Sequence, residues 1–206
     1  YLKGKWTLPF DKKDTQKEIF YNMDGSTSEA NMMYLTEILN FRNSANEPYM
    51  MVELPYGNQT FSMIVVLPKE GKTLDDILPN INWSNMYLGG QEVHVQLPKF
   101  KIEAKYPEEI TKCVKEMGIN RIFIPGSLSG INDELFVSFI AQDTFIEVDE
   151  AGTEASAVTN MGMCGSAEPG STPPPTPTIR MDRPFAFAIC ENTTGAVLFM
   201  GKVVKM

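Results

Sequence analysis

The chain is predicted to adopt an α+β fold, mostly antiparallel β with short helices between the strands. Three observations carry this prediction. Apolar runs come in pairs around turn-forming residues, as in Tyr49 to Leu54 and Phe61 to Leu67 on either side of Gly57-Asn58. Val93, Val95 and Leu97 alternate with His94 and Gln96, the period of a strand with one wet face. Helical periodicity is confined to short stretches.

Taken in order, Tyr1-Leu2-Lys3-Gly4-Lys5-Trp6 reads as the last part of a strand. The Tyr49 to Leu67 hairpin follows. A weaker helix runs from Thr73 to Leu78 and stops at Pro79, with Gly71-Lys72-Thr73 as a turn and cap. After the Val93 to Leu97 strand, Pro107 starts a helix with Glu108 and Glu109 in its first turn. Ile110, Val114 and Met117 share one face of it, and Gly118 follows its end. Leu135 to Val148 is β-branched and aromatic, so it predicts one long strand. A second hairpin joins Phe185 to Cys190 and Ala196 to Val204 around Asn192-Thr193-Thr194-Gly195.

Composition narrows function mainly by exclusion. At 206 residues and 43% hydrophobic, the chain can bury a sizeable core. A net charge of −8 without a basic run or stripe disfavours nucleic acid or another polyanion as a partner. The three cysteines, Cys113, Cys164 and Cys190, are too scattered for a disulfide framework or a zinc site, and Cys113 and Cys190 read as buried thiols. No apolar run approaches a membrane span.

Enzyme chemistry finds no support either. His94, the single histidine and so the only candidate histidine base, sits on the polar face of an alternating strand. Leu128 stands midway between Gly126 and Gly130, where a nucleophile elbow needs serine. Val66 occupies the first-glycine position of a phosphate loop ending at Gly71-Lys72-Thr73. Asp75-Asp76 and Asp149-Glu150 are sequence neighbours that point in different directions, which disfavours a shared-proton pair. No cofactor or metal is expected. The sequons at Asn58, Asn82 and Asn192 are short enough to arise by chance.

The most informative stretch runs from Glu150 to Thr159. It is small and suited to an extended strand, yet it leads into Met161 to Thr178, rich in Gly and carrying Pro173-Pro174-Pro175-Thr176-Pro177. At the strand period, Thr153, Ala155, Ala157 and Thr159 fall on one small, buriable face, with Glu154, Ser156 and Val158 opposite. A segment shaped to enter a sheet but followed by an extended loop fits a trap that works by strand insertion.

This segment resembles the hinge of the serpins. Asp182-Arg183-Pro184-Phe185-Ala186-Phe187-Ala188-Ile189 and Leu198-Phe199-Met200-Gly201-Lys202-Val203 resemble that family's C-terminal strands. Gly4-Lys5-Trp6 with Pro9-Phe10 and Asp14-Thr15 is similar to the turn leaving its central sheet. Leu97-Pro98-Lys99-Phe100 and Leu128-Ser129-Gly130-Ile131 fall where serpins carry similar words. The resemblance covers residues 1–206 as the C-terminal part of a single serpin-like, multi-sheet domain, with hinge and reactive-centre loop at 150–183. Family chains are nearly twice as long. A partner is therefore expected in the N-terminal part of the same precursor or in a second chain.

The resemblance implies suicide inhibition of a serine or cysteine peptidase, in an extracellular, periplasmic or cell-surface setting. The target cuts the loop, becomes acylated, and is trapped when the hinge enters the sheet. Hinge residues are then Glu150, Gly152, Thr153, Glu154, Ala155, Ser156 and Ala157, with Gly152 turning the backbone and the small side chains avoiding overpacking. Thr153 and Ala155 are expected in or near solvent before cleavage. Counting from Thr153 places the scissile bond between Ser166 and Ala167, with Met163 and Cys164 as alternatives suited to an elastase- or chymotrypsin-like target; counting back from Pro184 lands among the prolines. Trp6 and Gln142 mark the region where the sheet opens. Family members usually carry histidine at the position of Gln142, so pH-dependent opening through that residue should be absent. The competing implication is a non-inhibitory carrier or chaperone, or an inactive fragment. Bulky, charged or proline residues would mark a non-inhibitory hinge, and this one has only the outward Glu154.

Overall fold

The computed structural model describes residues 4–81, 83, 90–153 and 175–206. They form two compact units, a smaller one within Lys101–Glu147 and a larger one from Leu2–Phe100 and Val148–Met206.

In the larger unit the strands are β1 (Gly4–Lys5), β2 (Gln16–Tyr21), β3 (Thr27–Arg42), β4 (Tyr49–Tyr56), β5 (Phe61–Pro68) and, after the helix α1 (Leu74–Ile77), β6 (Gly90–Pro98). Two strands straddle the unit boundary, β7 (Phe100–Tyr106) and β8 (Gln142–Asp149), and between them lies the helix α2 (Glu109–Glu116). The remaining strands are β9 (Gly152–Thr153), β10 (Thr178–Arg180), β11 (Phe185–Glu191) and β12 (Val197–Val203). An eight-stranded sheet runs β10-β6-β3-β4-β5-β11-β12, with β2 paired to the first part of β3, off this path. All its pairs are antiparallel except β10 with β6. Both predicted hairpins are present, as β4–β5 and β11–β12.

Alternation explains β6, where Val93, Val95 and Leu97 are fully buried while His94 and Gln96 keep partial contact with solvent. The centre of the sheet is different. In β5, Met63 to Leu67 are buried at every position, because both faces are covered. On one face Met51, Ile64, Val66 and Ala188 pack with Leu74 and Ile77 of α1, whose first turn is fixed by a capping box between Thr73 and Asp76. Aromatic packing also closes the core around β11, where Phe100 lies 5.8 Å from Phe185 and 5.3 Å from Phe187, ring to ring, in edge-on and tilted arrangements.

The smaller unit departs from expectation in three ways. The run Leu135 to Val148 is only half a strand. Before β8, the Val137 amide donates to the Ile122 carbonyl at 2.9 Å and the Ile140 amide to Thr111 Oγ1 at 2.7 Å, so local side-chain and turn bonds replace the ladder. The helix α2 starts two residues after Pro107 and buries nothing fully; Met117, placed on its apolar face by the sequence, is 77% exposed. Cys113 is exposed on the same helix, which corrects its reading as a buried thiol, whereas Cys190 is buried as expected. No helix among the described residues is long and apolar enough to cross a membrane.

Candidate functional site

The first residues of the hinge form the site, because the structure holds them inside a ladder. Two-residue β9 lies between β1 and the end of β8, antiparallel to both. Thr153 pairs with Gly4 on one side and Val148 on the other, and Gly152 with Lys5 and Asp149. The turn leading into β9 is built by Asp149, whose Oδ1 accepts from the amides of Ala151 at 2.9 Å and Gly152 at 3.2 Å. Gly152 has φ +139, and a Cβ there would lie 2.1 Å from the Gly4 carbonyl oxygen and 2.8 Å from Lys5 Cα. Only glycine allows this approach.

Trp6 stitches the turn to the sheet. Its amide donates to the Ala151 carbonyl at 3.0 Å, and its indole Nε1 to the Asp149 carbonyl at 2.9 Å. The indole stacks on Tyr56 at 4.4 Å between centroids and meets Phe10 edge-on at 6.3 Å. Gly4 makes the Tyr56 position possible, since a Cβ would lie 2.7 Å from that ring. The Tyr56 hydroxyl and Thr153 Oγ1 are 2.9 Å apart. Burial raises the Tyr56 phenol well above its ordinary range, and the bond to Thr153 only partly opposes this.

Glu150 is anchored by charge. It is 4% exposed, accepts from Thr15 Oγ1 at 2.8 Å and pairs with Lys99 Nζ at 2.9 Å. Lys99 is itself held through its amide, which donates to the Asn31 carbonyl at 2.8 Å. Burial alone would raise the Glu150 carboxyl, but the Lys99 ion pair and the hydrogen bonds outweigh it and hold the carboxyl below its ordinary value of 4.5. A lowered folded value means the ionised form favours the native state. Its contribution is complete above pH 4.5 and is lost as the pH falls through the folded value. Glu150→Gln should therefore flatten the fall in stability below that pH in urea unfolding; an unchanged acid limb would mean that the pair does not stabilise the fold.

Of the predicted site residues, the structure brings together Trp6, Glu150, Gly152 and Thr153. It corrects one expectation: Thr153 is only 5% exposed, already paired on both sides, and not in or near solvent. Gln142 opens β8 in the smaller unit, exposed, with Nε2 donating to Thr144 Oγ1 at 3.1 Å. Glu154, Ala155, Ser156, Ala157, Met163, Cys164, Ser166 and Ala167 lie outside the described residues. Sequence reasoning overlooked Tyr56, Thr15, Asp149 and Lys99 as anchors of the turn. Lys99 and Thr15 lie in segments that resemble the family's, but no spacing rule pairs either with Glu150.

Over residues 1–206 the chain matches the family model described as serpin (serine protease inhibitor). It belongs to the serpin family. It is 34% identical over 216 residues to a protein of Cyanea capillata named serine protease inhibitor, covering 100% of this chain and 55% of that one. The human protein Z-dependent protease inhibitor is 37% identical over 214 residues, covering 99% of this chain and 46% of the relative. Among solved structures, a serpin of the insect Tenebrio molitor described as highly specific superposes with a TM-score of 0.82 at 30% identity, over 99% of this chain and 54% of that one. This serpin chain thus spans about half the length of the relatives it matches.

Proposed function

We propose that the chain is the C-terminal part of a suicide-substrate inhibitor of a serine or cysteine endopeptidase, acting by insertion of the segment after Gly152 as a strand. The observation that carries this reading is β9. The hinge residues Gly152 and Thr153 are already laddered on both sides, so further insertion extends an existing strand and avoids the cost of nucleating a new one. Each added ladder bond contributes only about 1 kcal/mol net, so many must form to hold a peptidase. Names of relatives as serine protease inhibitors support the peptidase-inhibitor class. The protein then acts on its target as an inhibitor and not as a catalyst.

In this reading the N-terminal part of a precursor, or a second chain, supplies the rest of the fold. Incubation with a panel of serine and cysteine peptidases should give an SDS-stable complex when that part is present. Ala155→Glu should raise the number of inhibitor molecules consumed per peptidase inactivated, because an unpaired charge on the buried face costs several kcal/mol on insertion. Ser156→Glu, one residue out of phase, should leave that number nearly unchanged. Equal values for the two variants would rule out the period-two hinge.

A further inference from the structure

The larger unit holds a cavity of about 520 Å³ that is separate from the hinge turn. Leu8, Ile38, Pro55 and Trp83 give it apolar walls, and Glu53 and Asn192 lie among its polar lining. Its size suits a small organic ligand.

Glu53 is 8% exposed, yet its hydrogen bonds come only from neutral groups. Asn40 Nδ2 donates to Oε2 at 2.6 Å and Ser62 Oγ to Oε1 at 2.6 Å. Ser62 Oγ in turn accepts from Asn192 Nδ2 at 2.7 Å, which commits its own hydroxyl proton to Glu53. Every donor in this chain points toward Glu53, so both of its oxygens act as acceptors. No lysine, arginine or histidine among the described residues pairs with it. A buried carboxyl group held by neutral dipoles alone has no cationic side chain beside it, and each oxygen keeps a free lone pair. Its field reaches the cavity: the Cys190 thiol, also in the lining, is raised by burial first and by Glu53 second.

We propose that this cavity binds an organic monocation, a primary ammonium on an apolar body, with the ammonium against Glu53 and the body against Trp83 and the aliphatic wall. One acceptor position on each oxygen is already taken, so a compact ammonium fits what remains better than a planar guanidinium fork. The site is independent of peptidase inhibition. A free amine and a lysine side chain of another polypeptide segment offer the same chemistry.

Calorimetric titration of the chain with 2-phenylethylamine and with Nα-acetyl-lysine amide tests the proposal. At least one should bind with a dissociation constant below about 1 mM. Tighter binding of the first assigns the site to free amines, and of the second to a lysine side chain. The neutral 2-phenylethanol should bind roughly ten- to a hundredfold more weakly than 2-phenylethylamine, as should either amine to Glu53→Gln. Because Glu53→Gln alters a buried network, Ile38→Trp provides a second variant. Ile38 is 69% exposed at the cavity wall, so the larger ring should block binding without lowering the melting temperature. Failure of both amines to bind, equal affinity for the alcohol, or unchanged amine binding in both variants would overturn the assignment.

Discussion

Gly152→Ala should destabilise the native protein by about 3–5 kcal/mol, since it adds backbone strain to overpacking. The three atoms nearest the new methyl would all be main chain: the Gly4 oxygen at 2.1 Å, Lys5 Cα at 2.8 Å and the Trp6 nitrogen at 2.9 Å. Main chain cannot rotate away as a side chain can, so β1 must separate from β9. The bond from the Trp6 amide to Ala151 would then be lost. In thermal melting this corresponds to a fall on the order of 10 °C, accompanied by a shift in Trp6 fluorescence. Gly57→Ala is the control, because φ there is +50 but nothing lies within 4 Å of the added atom. Strain alone should cost about 1 kcal/mol at that turn. Similar losses at both positions would mean that the close approach at Gly152 is not what glycine serves.

Thr153→Arg should also destabilise the resting protein, by about 3–5 kcal/mol, since a guanidinium would be buried without a partner. The reason is the placement of Thr153 inside the ladder, 2.9 Å from the Tyr56 hydroxyl. Thr153→Val keeps the shape but leaves that hydroxyl unpaired, for a loss of about 1–3 kcal/mol. Adding Tyr56→Phe to it should recover most of that loss. Denaturant unfolding of the four forms closes the cycle. A Thr153→Arg protein that unfolds like the parent would place the residue in solvent at rest. Substitutions beyond Thr153 are consequently the cleaner probes of insertion.

The contrast between Thr153 and Val93 shows what could be foreseen. Val93, Val95 and Leu97 reveal their strand through alternation, a local property that any window of the sequence displays. The hairpins around Gly57-Asn58 and Asn192 to Gly195 are legible for the same reason. Family words added the hinge, and the period of two marked Thr153 as facing inward. Whether a residue lies in a sheet before or after an event depends on pairing with Gly4 and Val148, which no local pattern encodes. The Glu150 anchor was hidden in the same way, because Thr15 and Lys99 are distant in sequence. Leu135 to Ala141 misled in the opposite sense. Their β-branched and aromatic character suits a strand, but bonds to Ile122 and Thr111 settle them otherwise.

The bond from the Trp6 indole to Asp149 spans 143 positions, and that separation bears on how the molecule is made. During synthesis Trp6 emerges near the beginning of this segment, whereas the turn that covers it emerges near the end. Until Asp149 to Gly152 arrive, the indole has only Phe10 and Tyr56 as aromatic partners, and its ring nitrogen must bond to water. Contacts of such separation form late, after the local hairpins, because closing long loops costs entropy before any pairing compensates. In refolding, the final change in tryptophan emission should therefore lag the formation of β4–β5. During that interval the chain carries an exposed aromatic cluster beside an open strand edge, the state in which a folding chaperone would meet it.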